Sequence, residues 1–454
     1  LREAADPQNF FAERPIFLPD SNHMPLRWIL PVLLMLVVPA PLSAAVPGFS
    51  AGAAAVDLTP EPGTLNWVTK RPYAGVLDRI HVRALIMGSE AERVAILTLD
   101  LTDINETDAA EIRQAVAAAI SIPPRHILVN ASHTHSGPTS PRYEWVSNPS
   151  RTMTADPNLE RWMRQLPARC ADAARQAEAG RRPVSLAVGR TTVGEWLFNR
   201  RPVRPDGTVK MMMTTPDSTV LSEGLRFGPV DPTATVLSFR DVDGKSVATL
   251  LHLACHAVSV YSANAGVSAD WPGAACASLA QALGGEVLFL QGCAGDIVPA
   301  RRGVEQAREM GAFIAGRAAK AAAQALVLPA APLKVSRAMV GLPLTAAASA
   351  RMGQRSTEAE IQVISCGDLA FVALPGEPLI EISFAIQKAS PFPHTVVLGY
   401  SNGDGVEYVG LPGEKIKGGY EMGPDGRGAD ECGGLMVAAA LRLLREHRAQ
   451  PAAR

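Results

Sequence analysis

Short apolar runs closed by turn-forming residues recur along the chain and alternate with stretches of helical period. Residues 82–87 and Arg93–Leu99 are two such runs, each the length of a buried strand. Ile112, Val116 and Ile120 then recur every four residues with charge between them, which predicts an amphipathic helix packed on a sheet. The apolar run at 126–129 completes a strand, helix, strand rhythm. Farther on, 156–179 is helical in composition, with Trp162 and Leu166 on one side, and 184–188 is a strand. Residues 198–202 read as a loop, and 204–232, rich in turn formers and Met, as a surface excursion able to overhang a site. Strands at 247–254 and 287–290 alternate with helices at 270–283 and 304–326. In the last third, 361–365 and 369–374 flank Cys366, Gly367 and Asp368, a hairpin signal. A helix to about Lys388, a strand at 395–398 and a helix at 430–447 follow. With no internal repeat or heptad run, the pattern predicts an α/β fold: a single large domain with mixed β-sheets flanked by helices.

Composition adds bounds. The 454 residues carry 43 basic and 44 acidic side chains and are 47% hydrophobic, enough for a large core and without the basic excess that nucleic acid demands. Nucleic acid is therefore not an expected partner, and no obligate protein partner is evident. Met24, Pro25, Leu26 and Arg27 precede an apolar run at 28–38 and small residues up to Ala45. The run is well short of the ~20 residues that span a bilayer, so 24–45 reads as a secretory signal peptide, cleaved after Ala44 or Ala45. Residues 1–23 are then an upstream extension, the mature domain covers 46–454, and the protein is expected to be secreted or periplasmic. Cys170, Cys255, Cys276, Cys293, Cys366 and Cys432 form no CxxC pair and read as small core residues, with export permitting a disulfide or two. Gly48, Phe49, Ser50, Ala51 and Gly52 match the GxSxG nucleophile elbow, but no strand is expected before them, so the match reads as chance.

The chemistry is expected at strand ends. His133 and His135 lie where the 126–129 run meets Gly137 and Pro138. On extended backbone both rings point to one side, fit for one to bind a metal while the other handles a substrate, or simply to cap the strand. His256 follows the 247–254 run, and His252 within that run reads as a core histidine. Asp296 follows 287–290 as a turn or orienting residue. Glu377 follows 369–374, where it would also complement a helix N-terminus, and Tyr408 lies shortly beyond 395–398. Taken alone, Tyr408 and Tyr420 are packing residues and Arg200 a surface charge. In α/β folds, however, loops at the carboxyl ends of strands line the functional crevice, so these five can meet at one point. Two imidazoles and a carboxylate are the usual ligands of catalytic zinc, which lowers the pKa of its water to near ~7 and makes hydroxide available to attack a carbonyl.

Together and in this order the motifs resemble those of the neutral ceramidases, secreted zinc amidases that cleave N-acylsphingosine into sphingosine and a fatty acid. The matching pieces are His133-Thr134-His135-Ser136-Gly137-Pro138, Asn199-Arg200, His256 with Val258-Ser259, Gly295-Asp296 before Pro299, Pro375-Gly376-Glu377, and Tyr408-Val409 with Tyr420-Glu421. The resemblance implies Zn2+ on His133, His256, Glu377 and Tyr408, with His135, Arg200 and Tyr420 holding or polarising the amide and its neighbouring hydroxyl. It also implies a lipid or other small-molecule amide as substrate and transient contact with membrane surfaces. Two departures stand out. Val298 occupies the place of a family serine, which removes a hydroxyl and not a ligand. The family also usually adds an immunoglobulin-like domain at the carboxyl end, and the resemblance covers the catalytic domain only. The implied activity is hydrolysis of the amide bond of a ceramide-like N-acyl lipid. The alternatives are another amide, an ester or a lactone, or a lipid- or glycan-binding relative without catalysis.

Overall fold

In the strand Arg93–Leu99, Val94 and Ile96 face one side, Ala95, Leu97 and Leu99 the other, and all five are buried. The neighbouring strand His81–Gly88 repeats this, with Leu85 and Met87 opposed to Val82, Ala84 and Ile86. Strands that are apolar on both faces need cover on both, which puts their sheet in the middle of a layered fold. One face of this nine-stranded sheet is covered by the helices Glu106–Ile120 and Pro157–Ala179 over one half and Asp270–Leu283 and Val304–Ala323 over the other. Its opposite face packs on a four-stranded sheet through residues such as Phe371, Val396 and Leu398. The smaller sheet turns Ala370, Val372 and Val397 outward to the helices Ile380–Ala389 and Cys432–Ala449. The layers are thus helix, sheet, sheet, helix.

The computed structural model describes residues 48–139, 156–212, 224–261, 263–329, 331–423 and 426–449, within a unit spanning Leu42–Arg454. The expected upstream extension, the signal peptide and residues 213–223 of the excursion lie outside the described residues. The larger sheet runs in the order Ile127–Ala131, Arg93–Leu99, His81–Gly88, Ser50–Asp57, Arg182–Thr192, Thr233–Asp241, Ser246–Leu253, Glu286–Gln291, with Leu326–Leu328 beside Arg182–Thr192. Its two outermost pairs are parallel and the pairs between them antiparallel. In the smaller sheet Leu333–Pro343, Ser356–Cys366 and Leu369–Ala373 are antiparallel, and His394–Leu398 joins the last of these in parallel. The larger sheet curls until its edge strands meet: the Gln291 N–H donates to Asn130 Oδ1 at 2.8 Å. Asn130 Nδ2 in turn donates to the Gly399 carbonyl at 2.8 Å, beyond the end of a strand of the smaller sheet. Carboxyl ends of strands from both sheets therefore share one rim.

The expected α/β fold of mixed sheets and flanking helices is the one observed, including the tight hairpin that pairs Cys366 with Leu369. Three strands of eight residues or more escape the apolar-run reading, Ser50–Asp57, Thr233–Asp241 and Leu333–Pro343, along with several strands of two or three residues. The first is built of small residues because the helix Pro157–Ala179 lies close against it, and a Cβ on Gly52 would collide with the Ala177 carbonyl. The third is a sheet edge whose partly exposed residues interrupt any apolar run. The stretch read as a loop at 198–202 begins as a short strand, Leu197–Asn199, paired with Ile297–Pro299. The helix expected over 304–326 ends at Ala323, and Leu326–Leu328 turns into a strand. Ser50 opens a strand and its Oγ accepts from Arg181 and donates to the Gly88 carbonyl, a structural role. All six cysteines are buried and free. No described helix is long and apolar enough to cross a membrane.

Candidate metal centre and active site

His133 leaves the end of Ile127–Ala131 with φ at 64°, a left-handed conformation that costs a non-glycine residue energy and is found mostly where the site needs it. Its Nδ1 lies 2.5 Å from the Thr102 carbonyl, and Nδ1 of His256 lies 2.6 Å from the Ala294 carbonyl. A carbonyl only accepts, so each Nδ1 carries a proton, and in the neutral ring Nε2 then presents a lone pair on the far side. Both Nε2 atoms stand 3.2 Å from the same Glu377 oxygen, Oε2. That oxygen also accepts from the Tyr400 hydroxyl at 3.2 Å. Nε2 of His135 lies 3.1 Å from Nε2 of His133, and the ligand atoms of His133, His135 and His256 fall within 4.8 Å of one another.

The backbone beneath is fixed by one side chain. Gln291 Nε2 donates to the Ser132 carbonyl at 3.0 Å and to the Cys255 carbonyl at 2.9 Å, while its Oε1 accepts from the Cys255 N–H at 3.2 Å. Both histidine loops are thus tied to the end of the strand Glu286–Gln291. Trp271 Nε1 adds a bond to the His256 carbonyl at 2.9 Å.

Electrostatics favour neutral His135 and His256 imidazoles beside a charged carboxylate. Burial, then Arg200 and His133, push the His256 imidazole down to about 3. Burial, then His133 and His256, hold His135 well below its ordinary value. Burial opposes charge on Glu377, yet His133 and His256 keep its carboxyl well below the usual range. Four bonds to zinc of ~2.0–2.1 Å set tetrahedral neighbours ~3.3 Å apart, close to the spacing of both imidazoles from Glu377. The Nε2 of His256 is also buried without a hydrogen-bond partner among the described residues, since its approach to Glu377 lacks hydrogen-bond geometry. Lone pairs brought this close to a carboxylate repel it unless a cation lies among them, so the donor set fits a metal ion.

Arg200 is no surface charge. It is buried, with Nε 2.7 Å from Glu421 Oε1, and Nη2 bonded to the Gly295 carbonyl at 2.8 Å and to the Tyr408 hydroxyl at 3.0 Å. Burial works against its charge, but Tyr408, Glu421 and Glu377 hold it protonated. Burial, then Glu377, raises the Tyr408 phenol well above its ordinary value, and Arg200 opposes the rise. The Tyr420 ring meets that of Tyr408 edge-on at 5.6 Å. Asp296 is an orienting residue: its carboxylate accepts from Asn199 Nδ2 at 2.7 Å and from the Ile380 N–H at 2.9 Å. Burial, then Glu381, lifts its carboxyl to about 7. His252 donates to the Val397 carbonyl at 3.0 Å inside the core. Val298 is fully buried with Phe198 and Val258.

His133, His135, Arg200, Glu377, Tyr408 and Tyr420 line one cavity of ≈ 540 Å³, with His256 buried beneath them, so the structure brings all seven sequence-derived site residues together. Sequence reasoning missed Trp67 and Tyr261, whose rings flank His135 at 5.3 and 5.1 Å. It also missed Tyr400, Gln291 and Arg302. Tyr400 and Gln291 stand at strand ends, where the rule that flagged the histidines applies equally; Trp67 and Arg302 carry no such signal.

Two solved structures share this architecture. A neutral ceramidase from Pseudomonas aeruginosa is 19% identical with a TM-score of 0.69, over 90% of this chain and 76% of that one. A ceramidase complexed with C2 is 19% identical with a TM-score of 0.67, over 90% of this chain and 77% of that one. At this identity the likeness establishes the fold. No curated protein matches the chain. The family described as "Neutral/alkaline non-lysosomal ceramidase, N-terminal" matches residues 52–319, more than half of the sequence. That segment holds His133, His135, Arg200 and His256 and ends before Glu377, Tyr408 and Tyr420. The chain is therefore a ceramidase-like hydrolase that belongs to the neutral/alkaline non-lysosomal ceramidase family.

Proposed function

We propose that this protein is a zinc-dependent amidase that hydrolyses the amide bond of an N-acyl lipid. The observation that supports this most is the meeting of two imidazole lone pairs, from His133 and His256, with one Glu377 oxygen at 3.2 Å each, beside a cavity of ≈ 540 Å³. Nitrogen and carboxylate donors suit zinc, which His133, His256, Glu377 and Tyr408 would hold; bound there, it would supply a Lewis acid and water acidified to near ~7. The other tasks fall to side chains. His135, kept neutral by burial between Trp67 and Tyr261, takes up a proton and passes it to the leaving amine. Arg200, anchored by Glu421, fixes the Tyr408 hydroxyl. Tyr420, at the cavity wall, donates to the carbonyl oxygen as it gains charge. Val68, Met211 and Val258 give the same cavity an apolar side for an acyl chain. One relative of this fold is a ceramidase complexed with C2, which favours an acyl-lipid amide.

Export directed by residues 24–45 and transient contact with membrane surfaces complete the reading, and mature protein recovered from outside the cytoplasm should begin at Ala45 or Val46. The central test is elemental analysis of the purified chain together with assays on N-acyl lipids and matched esters. One zinc per chain is expected, with amides cleaved faster than esters and both metal and activity lost in His133→Ala. Full amidase activity in that variant would refute the proposal.

A further inference from the structure

Arg302 lines the same cavity; its side chain hydrogen-bonds with Tyr261, while its Nε and Nη2 are buried without a hydrogen-bond partner among the described residues. The arginines around it are occupied. Arg301 turns away to stack 3.8 Å above the Trp196 ring, and Arg200 and Arg201 are matched by Glu421 and Glu414. Arg302 is also held in position from both sides: the Ala300 N–H donates to the Trp196 carbonyl and the Gly303 N–H to the Ser259 carbonyl, each at 2.8 Å. Burying guanidinium donors with nothing to accept from them is costly, and a fold keeps such a group where a ligand completes it. The charge around the cavity indicates the ligand's sign. With Arg200 matched by Glu421, Lys70 and Arg302 balance Asp103 and Glu377, and a bound metal ion would tip the cavity to positive charge. The planar fork of arginine pairs best with a carboxylate, by two parallel hydrogen bonds. The neighbouring wall contributes Val258, and Val298 behind it offers no hydroxyl to a neutral head group.

We infer that Arg302 is a specificity residue that binds a carboxylate next to the scissile amide, so that the substrates are fatty N-acyl amino acids in preference to neutral N-acyl amino alcohols. The inference rests on the amidase reading above. N-lauroylglycine and N-lauroylethanolamine test it, since they share the acyl chain and the amide and differ in a carboxylate against a hydroxymethyl group. The zinc-loaded full chain should show kcat/KM about 100-fold higher on the carboxylate, the upper order of the penalty for leaving a buried donor unsatisfied. Arg302→Met should bring the ratio to about one, and Arg302→Lys should recover part of it. Equilibrium binding of both compounds to the metal-free chain should favour the carboxylate by at least about tenfold in the wild type and not in R302M. R302M should lose no more stability than its hydrogen bond with Tyr261 accounts for, so its melting temperature should match that of Tyr261→Phe; a clearly lower one would mean Nε and Nη2 are paired within the fold and would overturn the inference. Binding preference without turnover of either amide would remove the amidase reading and leave the role of Arg302 standing. Turnover without carboxylate preference, or a preference that survives in R302M, would remove that role and leave the amidase reading intact.

Discussion

Asn130 and Gln291 close the larger sheet on itself: the backbone N–H of Gln291 donates to Asn130 Oδ1 at 2.8 Å, joining residues from opposite edge strands. From this seam the Gln291 side chain reaches the carbonyls that precede both His133 and His256. Geometry at the histidines is thus inherited from the closure of the sheet.

Gln291→Leu should therefore weaken zinc affinity by about 10- to 100-fold, the usual effect of removing a group that orients metal ligands. It should also lower stability by ~3 kcal/mol, because three buried backbone groups lose their partner. Chelator competition and thermal melts measure the two effects. Affinity within twofold of the wild type would mean the loops hold themselves.

Tyr400→Phe removes the hydroxyl that donates to Glu377 Oε2. Zinc affinity should fall about tenfold while stability changes by ~1 kcal/mol or less, a split that separates an orienting role from a packing one. Isothermal titration alongside a melting curve checks it.

Arg200→Met leaves Glu421, fully buried, with Arg201 as its remaining cation. Breaking a buried pair from one side should cost ~3–5 kcal/mol, and adding Glu421→Gln should return part of that. Denaturant unfolding of both singles and the double variant completes the cycle. Strict additivity would mean that the two side chains do not act as a pair.

Glu106 supplies a pH dependence. Burial, then the neighbouring Asp404, lifts its carboxyl from an ordinary 4.5 to about 8. The native state then binds more protons than the unfolded chain between those values, so this group's stability contribution is complete below pH 4.5 and is lost as pH rises through 8. Glu106→Gln keeps an acceptor for the Gly405 N–H and cannot ionise, so the fall in melting temperature across that window should flatten. An unchanged slope would assign the dependence to another group.

How much of this was legible beforehand depended on whether the cause was local. Arg93–Leu99 and the strand ahead of His133 announce themselves because burial on both faces demands unbroken apolar runs. The strand-end rule then gathers the histidines and Glu377, and would have taken Tyr400 as well. Ser50–Asp57 stayed hidden because its alanines answer to a helix far along the chain. The clamp at Gln291 depends on where two distant sheet edges meet. The unmet donors of Arg302 are a property of its surroundings, which no spacing in the string encodes.

His133 and His256 hang from the larger sheet and Glu377 from the smaller, so an ion held among them would rivet the two layers. A nascent chain halted before the smaller sheet would own two of the four proposed donors and retain no ion. Metal content would then certify that synthesis had finished and that the layers had docked. Stripping the ion would loosen the seam between sheets as well as silence the chemistry.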